Sequence, residues 1–125
     1  MYFAKTRAGG LAYLSTDDGV NWSGEQSVDN TLMSYTPSPV IFANRLFVFH
    51  TAAHEWGQLW FNSMDTRGNW AGDTEITSNL IFYNAGSPPV ALVYNDVLYV
   101  FYVGSNWQIF YIWCTADSPH RDKLE

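Results

Sequence analysis

Gly10-Leu11-Ala12-Tyr13-Leu14-Ser15-Thr16-Asp17-Asp18-Gly19-Val20-Asn21-Trp22 reads as a strand that runs into a tight polar turn closing on a tryptophan. A second copy lies at Gly57-Gln58-Leu59-Trp60-Phe61-Asn62-Ser63-Met64-Asp65-Thr66-Arg67-Gly68-Asn69-Trp70, so the closing tryptophans, Trp22 and Trp70, are 48 positions apart. Spacing of that size, built from short apolar runs, marks an array of repeated β units.

Working outward, Pro37–Ala43 is a short apolar strand, a two-residue turn at Asn44-Arg45 follows, and Leu46–His50 returns. Asn tolerates the positive φ that such a hairpin demands. A loop, Thr51–Trp56, leads to a third strand at Gln58–Ser63, and Ala71–Ile76 is a weaker fourth. Pro89–Tyr94, Asn95-Asp96, Leu98–Tyr102 and Gln108–Trp113 repeat the first three strands and the hairpin turn. Met1–Ala4 and Leu11–Ser15 fit the second and third strands of an earlier unit. No 3.6-residue period survives; the apolar runs are short and bounded by Gly, Pro, Asn and Asp.

Strands that are apolar on both faces, as in Leu46-Phe47-Val48-Phe49, suit sheets sandwiched between neighbours. A β-sandwich also has regularly spaced short strands, but threefold recurrence with matching turns favours a β-propeller. The expectation is an all-β chain of four-stranded antiparallel blades, about two and a half per chain. The blade parts are 1–30, 36–76 and 88–115, and 116–125 is a polar tail of the kind a vector adds. Numbered from the axis outward, the strands run 2-3-4, 1-2-3-4 and 1-2-3. Propellers close with 4 to 8 blades, so a homo-oligomer completing the ring, or a longer chain, is expected. Joining two ends supplies strands two and three twice, which disfavours a simple dimer.

Ser15-Thr16-Asp17-Asp18-Gly19-Val20-Asn21-Trp22 matches S-x-D-x-G-x-x-W and resembles the Asp-box of sialidases and related propellers. The residues that carry the turn are Ser15, Asp17, Gly19 and Trp22, then Ser63, Asp65 and Trp70. In this reading the aspartate accepts backbone N–H groups, Gly19 takes a positive φ, and the tryptophan plugs the gap between blades. The second copy has Arg67 in place of the glycine, with Gly68 displaced by one, and the third, after Trp113, has almost lost the motif. The resemblance covers roughly residues 1–115 and implies fold rather than activity, because in that family the box lies away from the active site.

Chemistry is sparse. A sialidase-like site needs an arginine cluster, yet Arg7, Arg45, Arg67 and Arg121 fall in turns, near loops or in the tail. Glu55, Asp65, Asp73, Glu75 and Asp96 lie mostly in turns, away from the facing pair that glycoside hydrolysis uses. His50 and His54 do not share helical spacing, and no calcium-loop pattern occurs. The chain therefore reads as a non-enzyme with no metal and no cofactor. Lone Cys114 rules out an intrachain disulfide and reads as a half-buried strand thiol.

Recognition remains. Trp56-Gly57-Gln58 and Trp107-Gln108 repeat an indole beside an amide at the end of the loop between strands two and three. An indole covers the C–H face of a sugar and an amide satisfies its hydroxyls. His54, Glu55 and Asn106 would complete such sites, and Tyr35 and Tyr83 would line the neighbouring blade. Aromatic residues make up 18% of the chain, which supplies rings for both packing and such platforms. The first expectation is a lectin-like carbohydrate-binding module. The alternatives are a structural or protein–protein interaction propeller and, weakest, a glycoside hydrolase.

A net charge of -6 repels phosphate backbones, so nucleic acid is not the expected partner. No apolar run of about 18 residues occurs to span a membrane. Met1–Arg7 has no signal-peptide core; secretion by another route stays open, and the compartment is not set.

Overall fold

The computed structural model describes residues 2–5, 9–33, 35–51, 58–76, 88–103, 108–116 and 123–124. These residues are all-β. Three strands, β1 (Tyr2–Lys5), β2 (Gly10–Leu14) and β3 (Gln26–Leu32), form an N-terminal sheet in the order β1-β2-β3. A middle sheet has β4 (Ser38–Phe42), β5 (Arg45–Thr51), β6 (Leu59–Met64) and β7 (Thr74–Glu75) in sequence order. The C-terminal sheet orders β8 (Val90–Tyr94), β9 (Val97–Val103), β10 (Ile109–Thr115) and β11 (Lys123–Leu124) in the same way. All pairings are antiparallel.

Two local assignments change. The first hairpin turns on Ala43-Asn44, with φ of 52° and 60°, and not on Asn44-Arg45. Phe42 pairs with Arg45, so Arg45 already belongs to β5 and its Nη2 reaches Ser63 Oγ at 2.9 Å. The second turn, Asn95-Asp96, has the same double positive φ of 53° and 61°, the geometry that matches strand twist in a two-residue hairpin. In the tail, Lys123 and Leu124 pair with Trp113 and Ile112, so the C-terminal sheet gains a fourth strand from residues expected to lie outside the fold.

The register explains why β5 and β6 are apolar throughout. Alternate side chains point to opposite faces, and both faces of the middle sheet are covered. Its front, with Phe42, Phe47, Phe49, Leu59 and Phe61, packs against Leu98, Val100, Tyr102 and Ile112 of the C-terminal sheet. On its back, Val48 packs with Leu11 and Val28 of the N-terminal sheet and with Met33 just after β3. Full burial of a side chain such as Phe47 stabilises by roughly 1.5–3 kcal/mol. Strands β4 and β8 lie against each other, and Ser38 Oγ accepts from Ala91 N at 3.0 Å. Cys114 sits half-buried beside the front cluster.

Candidate functional site

The stack has two dissimilar ends. The hairpins at Ala43-Asn44 and Asn95-Asp96 and the turns after β2 and β6 lie at one end. At the other, β5 gives way to β6 and β9 to β10. Like ends meet across the sheets, since Tyr13 lies 5.9 Å from Trp70 at the turn end and Ser38 meets Ala91 toward the loop end.

At the turn end the two motif copies are built differently. Both are closed by the same backbone bond, Ser23 N to Ser15 O and Ala71 N to Ser63 O, each 2.8 Å. In the second, Asp65 Oδ1 accepts from Arg67 N at 2.9 Å and Asn69 N at 3.0 Å. In the first, the accepting carboxylate is Asp18 and not Asp17. Asp18 Oδ1 takes Val20 N and Asn21 N, both at 2.8 Å, and Oδ2 takes Asn21 Nδ2 at 2.8 Å. Thr16 Oγ1 accepts from Gly19 N at 2.9 Å, closing the turn around the Asp18 carboxylate, and both Asp17 and Asp18 are exposed.

Gly19 has φ 78° as expected, and Gly68 takes the left-handed position at 88° that Arg67 cannot. The Asn21 and Val20 N–H groups hold the Asp18 carboxyl far below the usual carboxylate range. Asp65 is lowered too, chiefly by the Asn69 N–H. These carboxylates are committed to their turns.

The tryptophans differ as well. Trp70 packs against the cluster between the N-terminal and middle sheets, whereas Trp22 is 49% exposed. Trp22 plugs no gap among the described residues, because its side of the N-terminal sheet has no neighbouring sheet there.

At the loop end, Gln58 directly precedes β6 and Gln108 directly precedes β10, the same place in two sheets. Gln58 is half-buried and Gln108 exposed. Tyr35, half-buried, precedes β4, whose first residue Ser38 pairs with Phe49 near the loop end of β5. The structure therefore sets Tyr35, Gln58 and Gln108 toward one end of the stack. His54, Glu55, Trp56, Tyr83, Asn106 and Trp107 lie outside the described residues.

The back of the middle sheet carries a buried polar group that the strand pattern concealed. Asn62 Oδ1 accepts from Ser63 N at 2.8 Å and Gly72 N at 3.0 Å, and Nδ2 donates to Thr31 Oγ1 at 2.9 Å, tying two sheets together. This bond pattern brings the Gly72–Glu75 return onto β6. Asp73 Oδ1 then accepts from His50 Nε2 at 2.8 Å, with His50 fully buried. His50 does hold the strand-end place of Tyr102, but as a clamp on the β7 return. The one available signal was polar: Asn62 stands where the neighbouring units have Leu14 and Ile112.

Among the described residues no group of three or more His, Cys, Asp or Glu side chains could hold a metal ion. No helix there is long and apolar enough to cross a membrane. The chain matches no protein-family model, and no curated protein matches it significantly.

Proposed function

We propose that this chain is a lectin-like carbohydrate-binding β-propeller module, its three sheets acting as blades and its Ser15–Trp22 turn as an Asp-box. One observation carries the reading: Gln58 and Gln108 take the same place in two sheets at the loop end, and in the sequence a tryptophan precedes each, Trp56 by two positions and Trp107 by one. An amide at a strand start with a tryptophan close by in the sequence would offer paired hydrogen bonds and a flat apolar face, which is what a sugar ring requires. Repetition around a ring supplies avidity to individually shallow sites. The carboxylates described above are spent on turns and on His50, which supports binding without hydrolysis.

The contact of β4 with β8, strand one against strand one, supports a radial arrangement about an axis. Three sheets are too few for closure, so the ring would be completed by association of copies or by further sequence. A glycan array read with Gln58→Ala plus Gln108→Ala and with Trp56→Ala plus Trp107→Ala tests the site. Binding lost in both double variants is the expected result; binding retained in both, or no binding by the unmodified chain, overturns it.

The second reading is a protein–protein interaction propeller, favoured by the exposed apolar residues of the C-terminal sheet, Ile109 at 73% and Tyr94 at 66%. A fluorogenic glycoside assay addresses the third, a glycoside hydrolase, and no turnover is expected.

A further inference from the structure

The front of the middle sheet carries a triangle of rings. Phe47 and Phe49 are 6.1 Å apart and nearly parallel at 15°. Phe61 lies 5.7 Å from each, tilted by 51° and 43°. The C-terminal sheet repeats this triangle on its own front. Tyr99 and Phe101 are 6.3 Å apart at 21°, and Tyr111 lies 5.9 and 5.7 Å from them, tilted by 57° and 42°. The first triangle is roofed by the back of the C-terminal sheet. The second is roofed by nothing among the described residues, and Val90, Leu92, Tyr94 and Ile109 around it are 56%, 40%, 66% and 73% exposed. Every position that the register places on this front face of β8, β9 and β10 is uncharged.

An unroofed apolar sheet face of this extent is an interaction surface, and the stack itself says what fits it. Sheets here meet front to back: N-terminal front on middle back, middle front on C-terminal back. Among the described residues the back of the N-terminal sheet has no neighbouring sheet, and Trp22 and Leu32 there are 49% and 54% exposed.

We infer that the front of the C-terminal sheet docks the back of the N-terminal sheet of a second copy of this chain, head to tail. The contact continues the existing inter-sheet interface from one copy to the next. Such heterologous contacts close into a ring or run on as a filament. Each copy brings three sheets, so two copies make six, the multiple of three within the 4 to 8 that propellers use. With β11 the C-terminal sheet has four strands of its own and needs none from the N-terminal sheet of the next copy. This inference rests on the ring-forming part of the proposed function and not on its glycan part.

Sedimentation of the full chain tests it with two variants at exposed sites, Ile109→Arg on the front and Leu32→Arg on the back. The unmodified chain is expected to sediment as a dimer at micromolar concentration. Each variant alone is expected to associate about 30-fold more weakly or worse, the effect of losing a central interface residue. Mixed, they are expected to recover a dimer, because each keeps the face the other has lost; an unfolded variant could not complement. Leu92→Lys with Trp22→Lys repeats the experiment at independent positions. A monomeric unmodified chain overturns the inference, which would leave the neighbouring sheet to a partner or to further sequence. So does undiminished association of both back variants, which would mean that two fronts pair with each other. Glycan binding with no dimer, or a dimer with no glycan binding, separates failure of this inference from failure of the site.

Discussion

The middle and C-terminal sheets carry the same ring triangle, yet one triangle is core and the other is surface. Phe47 is 1% exposed beneath the C-terminal sheet, whereas Tyr99 in the matching place is only half-buried. The turns repeat the lesson on the other side of the stack, with Trp70 packed between sheets and Trp22 half exposed. Identical local structure acquires its energetic weight from the sheet beside it.

Five measurements would break or sharpen that contrast. The largest effect is expected from Phe47→Ala, about 3–5 kcal/mol of lost stability in denaturant unfolding. Tyr99→Ala is expected to cost less than half as much in dilute protein, with the gap narrowing as concentration rises if copies stack. Equal costs at every concentration would remove the distinction between the two faces.

Asn62→Ala strands the buried Ser63 N–H and Thr31 hydroxyl and removes the acceptor of the Gly72 N–H. A loss of roughly 2–4 kcal/mol is expected at about 1–3 kcal/mol per unsatisfied group. Asn62→Ile, which copies the residue type at Ile112, is expected not to restore stability, since the stranded groups remain. A neutral Asn62→Ile would show that the polar tie contributes nothing.

Trp70→Ala is expected to cost about 1–3 kcal/mol and Trp22→Ala no more than about 0.5 kcal/mol, the size of an ordinary surface change. Thermal unfolding of the two single variants side by side decides the point, and a larger cost at Trp22 would contradict the exposure.

Acid separates the turns in the same way. The folded carboxyl of Asp18 is held below its ordinary value of 3.8, so its contribution is complete above that pH and declines as pH falls beneath it. Asp65 shares the direction. Asp18→Asn is expected to flatten the stability profile below pH 3.8; an unaltered profile would mean that the Asp18 carboxylate is not the one the turn N–H groups bind.

The smallest effect is a gain. Ala43 holds φ 52° at the first hairpin, where a Cβ is strained by about 1–2 kcal/mol. Ala43→Gly is therefore expected to stabilise by about 0.5 kcal/mol after the extra flexibility of glycine in the unfolded chain is set against it. A destabilised variant would show that the turn is relaxed as it stands.

Much of this architecture was legible in the residues because it is local. Strand runs, hairpin signals and the 48-residue spacing of Trp22 and Trp70 depend on neighbours in sequence, and the sheets follow them. Two of the misplacements are of one residue, at Ala43 and at Asp18, where two candidates stand side by side and only the closed turn selects between them. Of the candidate recognition residues, Tyr35, Gln58 and Gln108 could be placed toward one end from strand order alone.

What the sequence by itself determined is an all-β chain of short repeated strands with tight turns, because alternation and φ preferences act over two to four residues. The tertiary structure alone decided that Lys123–Leu124 completes a sheet and that Asn62 ties β6 to Thr31. It also decided that His50 clamps Asp73, and that one of two matching aromatic triangles is core. Those outcomes depend on which strands and faces meet, and contacts between residues 23 or 31 positions apart leave no mark in a local pattern.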